Sequence, residues 1–252
     1  MYLDEEAILR PPAEGWLEIT PGRLQGLGKT DEVIMLLRHI PYLCTDTDNF
    51  KSEANAGPSF VRFWSWIEAI RWLDRPGIDF EAEIDISMIM TEPRPGEDIG
   101  LAPAHVVGLI STKQDLWLLD TELGVIYWLD CPSWIKQHPT REPILDDAYD
   151  YAPDGEADWR NEPAWAIVDF FELLKDQFRR LSSIPLTPTR VLDPEGVKPR
   201  PQFEGALLLV QAIYREHGWP DLAHYRKDEC LTAVRVRLEE RYGEDSQSLL
   251  GI

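Results

Sequence analysis

The sequence predicts an α+β fold: a small antiparallel sheet of three or four strands with about five helices packed against it. Apolar residues recur at helical spacing towards both ends of the chain, and the middle switches to an alternation of period two. The repeated strand–helix–strand order of a parallel nucleotide-binding sheet is missing.

The elements follow from local pattern. Residues 1–30 are rich in Pro and Gly and read as an extended N-terminal segment; residues 31–252 read as a single domain. Val33, Ile34, Leu37 and Ile40 mark a first helix, with Thr30 or Asp31 as its cap and Pro41 as its stop. Phe60, Phe63, Trp64, Ile67 and Ile70 mark a second, ended by Arg75-Pro76-Gly77. Alternation over 83–91, then short β-rich runs at 104–111, 116–120 and 125–130, predict the sheet, with Thr121-Glu122-Leu123-Gly124 as a hairpin connection. Pro163 opens a helix expected to reach Leu181, residues 185–201 read as an extended proline-rich connector, and two helices follow over 203–217 and 222–242.

Composition narrows the function classes. A net charge of −20 opposes nonspecific binding to nucleic acid or anionic lipid, although salt screening leaves room for a local basic patch. Cys44, Cys131 and Cys230 are too few and too scattered for a disulfide framework or a zinc site, so a reducing cytoplasm is the expected compartment. The first residues show no secretory signal and no apolar run is long enough to span a bilayer, so no membrane partner is expected. Ten Trp residues serve a core and a binding surface equally well.

Sequence motifs are sparse. Gly26-Leu27-Gly28-Lys29-Thr30 resembles the end of a phosphate-binding loop, but Arg23 stands where the first Gly is required, so a Gly-rich turn with Thr30 capping a helix is the expected reading. Cys131 and His138 could pair as nucleophile and base, or Cys131 could be a small core residue before a Pro. The five His residues are too dispersed for metal-ligand spacing, and no metal or cofactor is expected.

The densest chemistry lies between Asp146 and Glu162, where seven acids accompany one base, Arg160, with Tyr and Trp interleaved. A carboxylate fork accepts a guanidinium bidentately and an aromatic face adds cation–π attraction, so this composition suits a cationic ligand. It also suits a solvated acidic loop. Positive charge gathers between Lys175 and Arg200.

The runs Leu36-Leu37-Arg38-His39-Ile40-Pro41-Tyr42-Leu43, Leu118-Leu119-Asp120-Thr121 with Ile126-Tyr127-Trp128, Pro163-Ala164-Trp165-Ala166-Ile167 with Phe170-Phe171-Glu172-Leu173-Leu174, and Tyr214-Arg215-Glu216-His217-Gly218-Trp219-Pro220 carry a resemblance. Together they resemble the arginine-containing cyclodipeptide synthases of filamentous fungi. That resemblance implies a transferase that joins arginyl-tRNA and a second aminoacyl-tRNA into a diketopiperazine in secondary metabolism. This chemistry calls for a guanidinium pocket, a base or anchor for the attacking amine, and a tRNA-facing surface. In this chain Asp130, Asp146 and Asp147 are the candidate catalytic carboxylates. Tyr149, Asp150, Glu156, Trp159 and Trp165 are the candidate substrate contacts, and Arg179, Arg180 and Lys198 the candidate tRNA contacts. The general character also resembles Smi1/Knr4-like modules, non-enzymatic proteins that bind other proteins. A small-molecule cyclase with one or two working carboxylates is a third reading.

Overall fold

The computed structural model describes residues 8–22, 28–43, 63–73, 102–110, 116–153, 155–187, 190–197 and 200–250. It is a mixed α+β structure built around a four-stranded antiparallel sheet. The residues group into two compact units, one ending at Phe171 and the other beginning at Glu172. The strand expected over 83–91, like Lys198, lies outside the described residues.

In the first unit, strands β1 (Ile8–Leu9) and β2 (Tyr42–Leu43) pair around helix α1 (Asp31–His39). Thr30 Oγ1 accepts the Val33 N–H at 3.3 Å, Asp31 and Glu32 complement the helix dipole, and Val33, Ile34 and Leu37 point inward. Ile40, forced towards extended backbone by Pro41, ends the helix. The N-terminal segment packs on that end. Trp16 donates from its backbone to the Arg38 carbonyl and from its indole to the Ile40 carbonyl. Gly15, at φ +76°, makes the approach possible, because a Cβ there would stand 2.8 Å from the Arg38 carbonyl oxygen.

Helix α2 (Trp66–Leu73) starts later than its apolar spacing suggests. Phe63 is drawn into an antiparallel bridge with Ile110, and the Trp64 N–H donates to the Leu109 carbonyl. The main sheet runs in the order β3 (Val106–Gly108), β4 (Leu116–Asp120), β5 (Val125–Leu129), β6 (Ala164–Ala166). The hairpin at 121–124 forms as expected. The helix expected from Pro163 loses its first turn to β6: residues 164–166 pair with Val125, Ile126 and Tyr127, and helix α3 begins at Ile167 and ends at Arg179. Trp165 and Ala164 are buried as strand residues, so tertiary pairing overrides a helical pattern here.

Register sorts the sheet into two faces. Trp117 lies opposite Trp128, Leu119 opposite Ile126, and Ile126 opposite Trp165, so these side chains share one face. Phe170 of α3 packs against Trp117 at 5.0 Å and Trp128 at 5.8 Å, both edge-to-face. The other face carries Val106, Leu118, Tyr127, Leu129 and Ala164, which form an apolar cluster with Ala102 and Trp159. Asp120, opposite Val106 and Val125, projects onto this second face.

In the second unit, residues 185–201 hold a hairpin rather than a plain connector. Strand β7 (Ile184–Thr187) pairs with β8 (Arg190–Leu192), with a bulge between Pro185 and Thr187. A two-stranded ribbon leaves one side of each strand unpaired, so Pro185 costs no ladder bond there. Helices α4 (Ala206–Glu216) and α5 (Lys227–Tyr242) cover a core that includes Ile184, Phe203, Val210, Tyr214 and Leu238. The Tyr214 hydroxyl donates to the Pro185 carbonyl. Helix α5 begins five residues later than its spacing suggests (222 against 227). Asp221 and His224 are first used in turns that return the chain to His217, whose carbonyl accepts the Arg226 N–H.

Phe170 sits where three indoles converge, so Phe170→Ala is expected to destabilise the first unit by about 3–5 kcal/mol, read from the midpoint of urea unfolding at unchanged slope.

Candidate functional site

The second face of the sheet brings together residues that are far apart in sequence. After β5 the chain passes through a short helix (Ser133–Gln137), bridges β6 at Ile144, makes a 3₁₀ turn (Ala148–Asp150), and enters the single-turn helix Ala157–Arg160. That last turn delivers Trp159 and Arg160 onto the face carrying Asp120 and Tyr127.

Arg160 is the hub. Its guanidinium donates from Nη1 to Asp120 Oδ2 at 2.9 Å and to the Tyr127 hydroxyl at 3.3 Å, and from Nε to Glu156 Oε2 at 2.7 Å. Its Nη2 lies 3.4 Å from His105 Nε2. Its guanidinium carbon lies over the Trp159 ring, 4.4 Å from the centroid, and 5.6 Å from the centroid of Tyr127. Arg160 is 7% exposed and Asp120 is 0% exposed. Burial works against the guanidinium charge, but the hydrogen bonds to Glu156, Asp120 and Tyr127 outweigh it and hold the group above its ordinary value. Asp120 also accepts the Leu123 N–H at 2.9 Å through its other oxygen, which fixes the hairpin turn. His105 lies 3.6 Å from both Asp120 and Glu122, and its carbonyl accepts the backbone and hydroxyl of Thr121.

A cleft of about 330 Å³ opens beside this hub, lined by Leu123, Val125, Tyr127, Ile144, Asp146, Tyr151, Arg160 and Ala164. Its walls are mostly apolar, and its polar groups are one carboxylate, one guanidinium and two phenols. The Tyr127 hydroxyl, which accepts from Arg160, is pushed up to about 12 chiefly by burial, against the opposing pull of Arg160. At neutral pH it is therefore a proton donor. Asp146 is exposed, and among the described residues it has no ion-pair or hydrogen-bond partner.

The expected site residues divide. Asp146 lines the cleft, while Glu156 and Trp159 hold Arg160, so the internal guanidinium occupies the acidic-aromatic pocket. Asp147 accepts the Tyr149 N–H at 3.1 Å and caps the 3₁₀ turn. The Tyr149 hydroxyl donates to Asp158 at 2.6 Å, and that bond raises its proton affinity. Asp150 is exposed on the same turn. Asp130, exposed with φ +54°, ends β5 and does not line the cleft. Trp165 is buried on the opposite face of the sheet, its indole donating to the Arg141 carbonyl at 3.1 Å. In the second unit, Arg179 is engaged by Glu172 and Asp176, each at 3.0 Å, and Arg180 is exposed.

The two weaker motifs also resolve locally. Lys29 directs its ammonium at the Ala102 and Pro103 carbonyls at 3.3 and 3.5 Å, and Thr30 caps α1. Cys131 is buried with its Sγ 4.0 Å from the Pro132 carbonyl, and His138 is exposed at the end of its helix. Among the described residues no group of three or more His, Cys, Asp or Glu side chains could hold a metal, and no helix is long and apolar enough to cross a membrane.

Sequence reasoning passed over Asp120 and His105. The available signal was an acid closing the apolar run Leu116-Trp117-Leu118-Leu119, since a carboxylate in a buried strand requires a partner. The lone base in the acidic segment, Arg160, is that partner. The chain matches no protein-family model, no curated protein and no solved structure.

Two outcomes are expected. Arg160→Met leaves Asp120 buried without its cation and should cost about 3–5 kcal/mol in urea unfolding; in an Asp120→Asn background the same change should cost less than half as much. Tyr127 binds its proton more tightly folded than unfolded, so between pH 10 and about 12 unfolding releases a proton. Stability should therefore fall as pH rises through that window, and Tyr127→Phe should flatten the slope measured by unfolding at stepped pH.

Proposed function

We propose that this chain synthesises an arginine-containing cyclic dipeptide from arginyl-tRNA and a second aminoacyl-tRNA, and that the cleft of the first unit receives an aminoacyl group. The observation that carries the reading is the unpaired Asp146 carboxylate at an apolar-walled cleft of about 330 Å³, a size suited to a small ligand. The runs that resemble the fungal synthases supply the reaction class.

Each acyl transfer joins an α-amine to an ester carbonyl. The amine nitrogen bonds to the carbonyl carbon, the ester C–O bond breaks, and the tRNA ribose oxygen leaves with a proton. Repeating the step within the dipeptidyl ester closes the ring. Asp146 is the group placed to anchor a cationic amine or guanidinium, or to take the proton that the attacking amine loses. Asp120, Glu156 and Trp159 act at one remove by holding Arg160. Arg180 is the exposed base offered to tRNA phosphate, since the charge of Arg179 is met by its own helix.

A second reading is favoured by the exposed Leu123, Ile144 and Tyr151 that line the cleft and the exposed Leu145 and Tyr149 in the segment that follows Ile144. Large apolar side chains grouped this way suit a protein-binding face without chemistry.

Purified protein supplied with arginyl-tRNA and mixed aminoacyl-tRNAs should release an arginine-containing diketopiperazine detectable by mass spectrometry. Asp146→Asn should lower its yield at least roughly a hundredfold while leaving the unfolding midpoint unchanged, in keeping with loss of a general base or charged anchor. A folded wild-type protein that yields no cyclic dipeptide rejects the synthase. A stoichiometric protein partner lost on Leu145→Asp would then establish the binding module.

A further inference from the structure

We infer that His105 is a pH-sensitive latch on Arg160: neutral, it accepts a hydrogen bond from the guanidinium, and protonated, it turns to Asp120 and gives that bond up. The latch acts on the buried hub itself and is independent of the reaction proposed for the cleft.

The neutral form follows from donor inventory. A guanidinium has N–H donors and no acceptor, so at the 3.4 Å contact between Arg160 Nη2 and His105 Nε2 the imidazole nitrogen must accept. The other ring nitrogen, Nδ1, stands 3.6 Å from Glu122 Oε1, which accepts only. A proton on Nδ1 suits both neighbours. A proton on Nε2 instead would face the Arg160 donor and turn a lone pair towards Glu122. The backbone holds the ring in place, because the His105 carbonyl accepts the N–H and the hydroxyl of Thr121 at 3.0 and 2.8 Å. The His105 side chain is 22% exposed, so solvent protons reach it while Asp120 and Arg160 stay buried.

Protonation changes one nitrogen and not the other. Nδ1–H keeps its place beside Glu122, whereas Nε2 becomes a donor and loses its match with Arg160. An acceptor is already at hand in Asp120 Oδ2, 3.6 Å away, the same oxygen that takes Arg160 Nη1 at 2.9 Å. The imidazolium therefore repels the guanidinium and competes with it for one carboxylate oxygen. Asp120 and Glu122 face the ring from the hairpin and Arg160 from the single-turn helix, with Glu156 behind Arg160 at 2.7 Å. Lys29, from the segment before α1, directs its ammonium at the Ala102 and Pro103 carbonyls just upstream. Two carboxylates beside the ring give the imidazolium attractive partners, so protonation redirects His105 without expelling it. The contact that yields is the one to Arg160 Nη2, which has no other hydrogen-bond partner among the described residues. That bond belongs to the neutral imidazole, so it is present at the upper end of a histidine's range, roughly pH 8, and lost towards roughly pH 5.

Nuclear magnetic resonance on the full chain, with 15N-labelled histidine and arginine, tests both states. At about pH 8 the proton should reside on His105 Nδ1, with Nε2 showing the shift of a bare nitrogen. Acidification to about pH 5 should move the Arg160 side-chain N–H resonances with the same midpoint as the His105 ring. Exchange protection of the Arg160 guanidinium, corrected for the intrinsic effect of pH, should fall roughly fivefold, the worth of one hydrogen bond. His105→Gln keeps an acceptor for Arg160 but cannot titrate, so its Arg160 resonances should stay still across that range. A proton on Nε2 at the alkaline end overturns the latch, as does an Arg160 signal that ignores the His105 titration or still moves in His105→Gln. The tautomer and the shared midpoint are read on the wild type, so the test stands even where the variant does not fold.

Discussion

The ion pair between Arg160 and Asp120 is the constraint on which the first unit's second face depends. Neither charge could sit in so dry a position alone, because transfer of a single carboxylate or guanidinium out of water costs several kcal/mol. Together they require further partners, and the structure supplies them. Asp120 receives the Leu123 N–H, Arg160 receives Glu156 and the Tyr127 oxygen, and Trp159 lies under the guanidinium. A hairpin, a strand and a single-turn helix are thereby locked to one another through polar contacts that an apolar core could not specify.

This arrangement also determines what kind of site the cleft can be. The acidic-aromatic segment has the composition of a guanidinium receptor, and much of it already holds a guanidinium that belongs to the chain. What remains for a ligand is narrower: an anion at Asp146, phenols at Tyr127 and Tyr151, and an aliphatic wall. The two faces of the sheet divide their work accordingly. One is sealed by edge-to-face indole and phenyl rings, while the other combines a smaller apolar cluster with the buried charges and the opening.

Much of the fold was legible because its period was. The pairing of Leu116–Asp120 with Val125–Leu129, the 121–124 turn, and the cap and stop of α1 are local properties, written within a few residues of where they act. Errors arose where partners are distant. Residues 164–166 have helical spacing but are strand because β5 offers them a ladder, and Pro185 sits in a strand because its ribbon has an open side. The candidate site was legible in part for the same reason. Asp146, Glu156 and Trp159 stood out as charged or aromatic residues in one short stretch, but whether each faces a ligand or another residue depends on contacts over 33 to 55 positions, the separations of Tyr127 and His105 from Arg160.

By itself the sequence determined an acidic α+β chain, the core hairpin of its sheet, and a stretch where carboxylates and aromatic rings are concentrated. These are consequences of composition and of side-chain period, which act through near neighbours. Only the tertiary structure decided which carboxylates are engaged and which are left open. Sheet register placed Asp120 and Tyr127 on one face and Trp165 on the other, and the turn at Ala157–Arg160 brought the one base of an acidic segment onto them. A buried charge is defined by what closes around it, and that is a property of the folded chain rather than of any segment of it.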